Sequence, residues 1–345
     1  MAGRSLTIAW VGGMFTQHHM EALGHRVVRL PLTAPGAFSW EDIVQRCGGA
    51  PDAVVSLDRS LPPPLLGVER YPCLTAFHCI DSHIHGWYPL YAGAFDLCAV
   101  SLKDDVATFE AELAPGRVVW LPPFAEDRCQ PRTVSEADKE FDLLFVGTVD
   151  PETTPLRHAF LERLGRLLPG PAGLAVRRGD YTQLFPKARV VLNIAERGDL
   201  NFRVFEALAC GSCLLTPRIG NGQGELFADG VHLVTYAPDD EADAAKKARS
   251  LLADAARRDA LARAGFAAVD AAHRPMHRAR ALEALLFSGL EQGLAQKRLA
   301  APDSDPWQAR RQALRLLFLS WAEHCGDAAL AARYLSEART LARMK

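Results

Sequence analysis

The chain has 345 residues, of which 49% are apolar and 23% are charged. These proportions are typical of a globular protein, and the length favours two domains over one. The formal net charge is −2 at pH 7, which argues against a surface for nucleic acid or for an anionic membrane.

The N-terminal sequence and the cysteines indicate the cellular compartment of the protein. The apolar run in "MAGRSLTIAWVGG" is too short for a signal or a membrane span, and no apolar run of 18 residues follows. Eight cysteines are scattered without a disulfide rhythm. We therefore expect a reduced, cytoplasmic protein without an integral membrane segment.

The only CxxC motif is Cys210-Gly-Ser-Cys213. No second cysteine pair and no histidine cluster supplies the remaining ligands of a zinc site, and the motif ends a helix and starts a strand. This setting favours small buried thiols in the core over a redox or metal role.

The first part of the chain alternates apolar strands with helical or irregular connections. A short helical stretch lies near residues 18–23. The predicted strands are 6–13, 26–32, 52–57, 73–80, 95–101 and 116–123. Their nearly continuous apolar character predicts a parallel sheet that is covered on both faces.

The pattern restarts after a charged stretch at residues 126–140. The predicted strands are 141–148, 173–179, 188–195, 212–216 and 231–236, and the predicted helices are 154–168, one that follows Asn201, and a region from Asp239. Two successive βαβ assemblies predict an α/β protein of two Rossmann-like lobes, residues 1–130 and 131–300, with a cleft between them.

The tail, residues 301–345, forms a separate segment behind a Pro/Asp linker at 300–306. It reads as two amphipathic helices with a turn at Gly326-Asp327, similar to a single tetratricopeptide-type hairpin. One such repeat cannot bury its own apolar face, so we expect it to dock on the body or on another subunit, which would allow self-association.

The stretch "NFRVFEALACGSCLLT" (201–216) places two charges in an apolar helix. Arg203 and Glu206 are three residues apart and share one face. The helix follows a strand, so it begins at the edge of a parallel sheet where ligands of such folds bind. Its first amides and Arg203 suit a diphosphate, and the carboxylate of Glu206 suits a ribose. The alternative is a simple Arg–Glu surface pair.

Two neighbouring segments could add to this site. After the next strand, Gly220, Gly222 and Gly224 alternate in a loop that would let backbone amides approach a ligand, although alternating glycines are weak evidence by themselves. Arg178 follows an earlier strand and could approach the base of a nucleotide. A solvated loop is the alternative there.

Residues 201–236, "NFRVFEALACGSCLLTPRIGNGQGELFADGVHLVTY", resemble the glycosyltransferases of the spore-maturation CgeB type, which are relatives of the group 1 glycosyltransferases. Further matching segments are "AFHCIDSHIHGW", "AFDLCAVS", "VVWLPPFAED", "FDLLFVGTVDPETTPLR" and "AAHRPMHRARALEALL". The resemblance covers most of residues 70–290.

The resemblance implies the GT-B fold and transfer of a sugar from a nucleoside diphosphate sugar to an acceptor hydroxyl. It places the donor mainly on the second lobe, with Glu206 on the ribose and with Arg203 and Arg157 on the diphosphate. Further donor residues that it implies are Gly147 and Thr148 under the diphosphate, Asn193 at a strand end, and Gly222, Gly224 and Glu225 beside the sugar and phosphates. UDP-sugar is the favoured donor, and no metal or other cofactor is expected because the helix end and arginine would stabilise the leaving diphosphate.

The sequence departs from group 1 enzymes at two places. These enzymes often carry a second Glu eight residues before the ribose Glu, but here the position is Gly198, with Asp199 and Glu196 nearby. A lysine common between residues 148 and 157 is also missing. A catalytically inactive scaffold therefore remains an alternative, and a nucleotide-sugar epimerase is another because GT-B folds also carry out that chemistry. "VGGMFTQ" is not a G-x-G-x-x-G motif, which argues against a dinucleotide oxidoreductase.

The first lobe is expected to bring the acceptor, of unknown class (a protein, a glycan or a small molecule), and any catalytic base. Asp81 and His83 follow a strand in "FHCIDSHIHGWY", and His18 follows Gly12-Gly13 after the first strand. Asp81, or a neighbouring His, could deprotonate an acceptor hydroxyl. The alternative is a polar loop whose histidines bond the backbone. His83-x-His85 alone is weak evidence for a metal.

Overall fold

A computed structural model describes residues 4–169, 173–300 and 304–344. The chain forms two compact units, of which the first comprises Met1–Pro122 with Arg278–Lys345 and the second comprises Pro123–His277. This division differs from the expected one at residues 130 and 300, because the chain returns to the first unit at Arg278. Residues 301–303 of the expected linker lie outside the described residues.

The first unit contains a six-stranded parallel sheet. Its strands are β1 (Thr7–Gly12), β2 (Arg26–Pro31), β3 (Ala53–Leu57), β4 (Leu74–Cys79), β5 (Leu97–Val100) and β6 (Val118–Trp120). They are ordered β2-β1-β3-β4-β5-β6, so the direction of strand addition reverses between β1 and β3. Every residue of β3, β4 and β5 is buried, which explains their continuous apolar sequences.

Four helices connect these strands: α1 (Gln17–Ala22), α2 (Trp40–Cys47), α3 (Tyr88–Ala92) and α4 (Val106–Leu113). The start of α2 is fixed by a capping box between Ser39 and Asp42, and its end by Gly48 in a left-handed conformation.

The second unit contains a five-stranded parallel sheet in the order β11-β10-β9-β7-β8. Its strands are β7 (Phe141–Val146), β8 (Leu174–Arg177), β9 (Ala188–Leu192), β10 (Leu214–Pro217) and β11 (Val234–Tyr236). Its helices are α5 (Pro155–Leu167), α6 (Tyr181–Leu184), α7 (Phe202–Ala209), α8 (Gln223–Leu226), α9 (Glu241–Leu252) and α10 (Ala255–Ala272). The strand order reverses between β7 and β9, which is where ligands bind in open α/β sheets.

Helices pack against the sheet of the second unit through apolar side chains. Helices α5 and α9 share a core with the strands, in which Phe160 and Tyr236 stack with ring centroids 5.7 Å apart. Helix α10 contacts α7 at Gly265, where an added Cβ would lie 2.6 Å from both the His232 carbonyl oxygen and Leu208 Cδ2. Only glycine allows the two helices to approach this closely.

The C-terminal residues complete the first unit with α11 (Pro275–Glu291), α12 (Leu294–Leu299), α13 (Asp305–His324) and α14 (Ala328–Arg343). The hairpin of α13 and α14 docks on this unit. The Tyr334 hydroxyl donates to the Pro63 carbonyl over 3.0 Å, and Trp321 contacts Trp87 edge-on with centroids 5.7 Å apart. Self-association through the hairpin stays a prediction.

Helix α12 carries a buried arginine that joins several segments of the first unit. Arg298 Nε lies 2.9 Å from Asp96 Oδ1, and both side chains are almost fully buried. The same guanidinium donates to the carbonyls of Glu69, Tyr71 and Cys73 over 2.6, 2.8 and 3.0 Å. The Arg298 side chain therefore forms an ion pair with one carboxylate and hydrogen bonds with three backbone carbonyls.

Among the described residues, no helix combines the length and the apolar character that a membrane crossing requires.

Candidate functional site

Several of the donor residues expected from the sequence lie at the carboxyl ends of β7 and β9. Gly147 and Thr148 follow β7, and Asn193 follows β9. The chain then runs to Asn201, the N-cap of α7, so the first turn of this helix starts at the same edge. The reversal of strand order makes β7 and β9 neighbours.

Arg203 and Glu206 lie in the first two turns of α7 and contact each other. Arg203 Nε is 3.2 Å from Glu206 Oε2, and Arg203 Nη1 donates to the Val146 carbonyl at the end of β7. The guanidinium lies over the rings of Tyr181 and Phe185, 5.6 Å from each centroid. The pair expected as the simpler alternative therefore exists, and it is anchored at the switch point of the sheet.

The Glu206 carboxylate is in a largely buried position. Burial raises the pKa of Glu206 above its ordinary value, and Arg203 and a hydrogen bond from Tyr181 oppose this shift. Only 13% of its side chain is exposed. Two partners hold the Glu206 carboxylate in a largely buried position, so it is preorganised to accept hydrogen bonds from hydroxyl groups.

Arg157, in the first turn of α5, contacts the adjoining loops. Its Nη1 donates to the Thr148 carbonyl over 2.9 Å, and its Nε lies 3.0 Å from Glu196 Oε1. The contact between Arg157 Nε and Glu196 Oε1 is an ion pair but not a hydrogen bond. Both atoms are buried, and neither has a hydrogen-bond partner of suitable geometry. Arg157 thus brings the loop after β7 to the loop after β9.

A pocket of about 440 Å³ opens beside this ion pair. Its lining combines charged and small residues from the loops after β9, β10 and β11 with apolar side chains of α5: Leu156, Phe160, Ile194, Ala195, Glu196, Arg197, Gly198, Pro217, Arg218, Ile219, Gly220, Tyr236, Pro238 and Asp239. Asn221 Nδ2 donates to the Gly198 carbonyl over 2.8 Å and ties two of these loops together. The volume is within the range of small-ligand sites.

The other expected donor residues are differently placed. The Asn193 side chain is buried and donates to Thr216 Oγ1 over 3.0 Å, so it joins two strands. Gly222 is the left-handed N-cap of α8, with φ 78°. Arg178, Gly224 and Glu225 are exposed.

Tyr181 and Arg128 were not singled out by the sequence analysis as site residues. Arg128 Nη2 donates to the Tyr181 hydroxyl over 3.0 Å, and its guanidinium lies 5.0 Å from the centre of the ring. The available signal was an aromatic residue four positions after the end of β8. Cys210 and Cys213 are free and buried, which agrees with core thiols.

In the first unit, Asp81 and His83 follow β4 and are half-buried. Asp81 Oδ2 accepts a hydrogen bond from Ser60 Oγ over 2.6 Å. His18 is exposed on α1, where its Nδ1 lies 2.9 Å from Arg29 Nη2 and 3.4 Å from Glu21 Oε2. The structure thus places Asp81 and His83 in one loop and His18 on a helix surface.

His78, the residue of β4 before Cys79, should make the first unit sensitive to acid. Burial lowers the pKa of His78 to about 4, below the ordinary value of about 6.5. Between these values the unfolded chain binds a proton that the folded chain does not, so stability should fall as the pH decreases. A pKa shift of this size lowers the free energy of unfolding by about 3 kcal/mol in total at low pH, and by about 2 kcal/mol at pH 5.

This acid sensitivity can be measured by urea unfolding of wild type and of His78→Gln at pH 7 and pH 5. All six tryptophans lie in the first unit, so their fluorescence reports on that unit. The loss of stability on acidification should be about 2 kcal/mol smaller in the variant. His324→Gln on the surface of α13 is the exposed control. An equal loss in wild type and His78→Gln would contradict the prediction.

Within the described part of the chain, no three His, Cys, Asp or Glu side chains are grouped as metal ligands.

Comparison with known proteins bears on the nature of this site. Residues 156–284 match a family model described as glycosyl transferase-like. The match covers most of the second unit and the first part of α11. The matched residues include Arg157, Arg203 and Glu206, as well as Glu196 and the loop that carries Gly222. No curated protein sequence matches the chain.

Two solved structures share the fold over most of the chain. The Anabaena protein HepE in complex with UDP is 10% identical, with a TM-score of 0.58 over 82% of this chain and 100% of that one. A glycosyltransferase from Rickettsia africae is 9% identical, with a TM-score of 0.56 over 82% of this chain and 98% of that one. The fold of two Rossmann-like lobes, GT-B, that was predicted from the sequence is confirmed, and the match of residues 156–284 agrees with the predicted glycosyltransferase class.

Proposed function

We propose that the protein transfers a sugar from a nucleoside diphosphate sugar to an acceptor hydroxyl group. The observation that carries the proposal is the grouping of Arg157, Arg203 and Glu206 at the carboxyl ends of β7 and β9, beside the first turn of α7. Two cations, helix amides and one carboxylate match the charges and hydroxyls of a nucleoside diphosphate. The resemblance of residues 201–236 to the CgeB type supports the same donor.

In this proposal the two arginines and the first amides of α7 bind the diphosphate. A guanidinium offers five N–H donors, so Arg157 and Arg203 can keep their contacts to the Thr148 and Val146 carbonyls and also bind phosphate oxygens. The same groups would stabilise the charge that develops as the diphosphate leaves. We therefore propose a reaction that requires no metal.

Glu206 would accept hydrogen bonds from the ribose hydroxyls. Its carboxylate has about four lone-pair sites, so a diol can bind while the contact with Arg203 persists. The structure of HepE described above contains UDP, which makes UDP-sugars the first donors to test.

The pocket of about 440 Å³ beside Glu196 is the proposed location of the donor sugar. Its mixture of carboxylates, arginines and apolar side chains suits a ring that carries hydroxyl groups on an apolar frame. Glu196 lies two residues from Gly198, the position where group 1 enzymes often carry their sugar-binding Glu. We therefore assign the contact with the sugar to Glu196.

On the acceptor side we propose Asp81 as the base that takes the proton of the attacking hydroxyl. Its half-buried position and its fixed bond from Ser60 support this role over His18, which is exposed and held by Arg29 and Glu21. His83 is close in sequence and would orient the acceptor. The class of acceptor stays open.

The proposal is tested by calorimetric melting of the full chain with UDP, UDP-glucose, GDP, TDP and CMP. A ligand present at 100 times its Kd adds about 2.7 kcal/mol to the free energy of unfolding. We expect one nucleotide and its sugar to raise the Tm of the second unit by about 5–10 °C. No shift with any nucleotide would contradict the proposal and favour a scaffold role.

Product analysis then separates transfer from epimerisation. The chain is incubated with the UDP-sugar that binds, in the absence of an added acceptor. Slow release of UDP is the expected result, because water can replace the acceptor hydroxyl. Accumulation of an epimerised nucleotide sugar would show that the protein is an epimerase.

A further inference from the structure

A buried carboxylate organises the edge of the first unit where strand order reverses. Asp58 directly follows β3 and is almost fully buried. Its Oδ2 accepts the amides of Ile80 and Asp81 over 2.6 and 2.8 Å. Its Oδ1 accepts the Ser60 amide over 2.9 Å and the Tyr88 hydroxyl over 3.1 Å. One side chain thus binds the loop after β3 to the loop after β4.

The loop after β3 contributes a hydroxyl group to Asp81. Ser60 Oγ donates to Asp81 Oδ2 over 2.6 Å. The backbone of Ser60 has φ 53°, in the left-handed region that non-glycine residues rarely adopt. Such backbone strain persists only where the surrounding bonds enforce it, and it concentrates at functional sites.

We propose that Ser60 is a positioning residue for Asp81, and that Asp58 fixes the two backbones so that the Ser60 hydroxyl meets one carboxylate oxygen. This proposal rests on the proposed function, in which Asp81 is the base. In this proposal Ser60 holds Oδ2 of Asp81, and Oδ1 takes the proton of the acceptor hydroxyl. The proton of the acceptor hydroxyl passes to Asp81, the acceptor oxygen bonds to the anomeric carbon, and the diphosphate leaves with the electron pair of the broken bond.

The substitutions Ser60→Ala and Ser60→Gly test this role. Both remove the hydroxyl, but alanine keeps the strain at φ 53° and glycine relieves it. The assay is release of UDP from the UDP-sugar that binds most strongly, with water as acceptor. We expect kcat to fall about tenfold in both variants, because a hydrogen bond to a charged group is lost. KM for the UDP-sugar should not change.

Stability separates positioning from a structural role. Ser60→Gly should melt at a higher temperature than Ser60→Ala and yet be as slow. A wild-type rate in Ser60→Gly would overturn the proposal. The matched control is Ser135→Ala in the second unit, where a serine hydroxyl donates to Asp138 Oδ2 over 2.5 Å. This variant should keep the wild-type rate.

A double-mutant cycle with Asp81→Asn shows whether Ser60 acts through Asp81. Ser60→Ala should slow the wild type but have no further effect in Asp81→Asn. If Asp81→Asn is slow and Ser60→Ala is as fast as wild type, only the role of Ser60 is wrong. If wild type releases no UDP, or if Asp81→Asn is as fast as wild type, the proposed function or its base is wrong, and the role of Ser60 fails with it.

Discussion

Replacing Arg298 with methionine should destabilise the first unit by about 3–5 kcal/mol. Methionine fills most of the volume but leaves the Asp96 carboxylate without its ion pair, with both side chains almost fully buried. It also removes the donors to the carbonyls of Glu69, Tyr71 and Cys73. The cost arises mainly from buried polar groups without partners, since the transfer of methionine to the core is itself favourable.

The measurement is urea unfolding monitored by tryptophan fluorescence, because all six tryptophans lie in the first unit. Lys297→Met is the matched control: it changes the neighbouring residue of α12, whose side chain is exposed, and should alter stability by less than about 0.5 kcal/mol. A loss below about 1 kcal/mol in Arg298→Met would mean that water replaces the guanidinium at these carbonyls.

Replacing Glu206 with glutamine should weaken binding of UDP about tenfold, with little change in the fold. Glutamine has the same size and can still accept a bond from Arg203, which is 3.2 Å from Glu206 Oε2. It loses the negative charge that strengthens bonds from ribose hydroxyls. The affinity can be measured by isothermal titration calorimetry of wild type and variant under identical salt conditions.

The ligand 2′,3′-dideoxy-UDP separates contact with the ribose from a general effect on the site. Wild type should prefer UDP over this analogue by about tenfold, and Glu206→Gln should lose most of the preference. Glu162→Gln, an exposed change on α5, should leave both affinities unchanged. Equal weakening of UDP and its dideoxy analogue in Glu206→Gln would show that Glu206 supports the site without touching the ribose.

Apolar patterning made most of the secondary structure predictable. The stretches 52–57, 73–80 and 188–195 contain β3, β4 and β9, because strands buried on both faces need an apolar residue at nearly every position. The spacing of Arg203 and Glu206 predicted that they share a helical face, and their 3.2 Å contact agrees with it. Both patterns can be recognised within a short window of the sequence.

The partners of the charged residues could not be predicted in the same way. The contact of Arg157 with Glu196 and that of Arg203 with the Val146 carbonyl require β7 and β9 to be adjacent. No local pattern encodes that strand order. Asp58 was missed for a similar reason: a single acidic residue after a strand looks like any polar turn until the loop after β4 folds onto it.

The sequence by itself determined two sets of parallel strands, a charged helix at a sheet edge and a helical tail. Periodicity and helical spacing are local properties, so a short window of residues contains them. Only the tertiary structure decided that the tail joins the first unit, that Arg298 pairs with Asp96, and that Ser60 meets Asp81. Packing and topology select these partners, because such contacts join residues far apart in the chain and become favourable only once the core has formed.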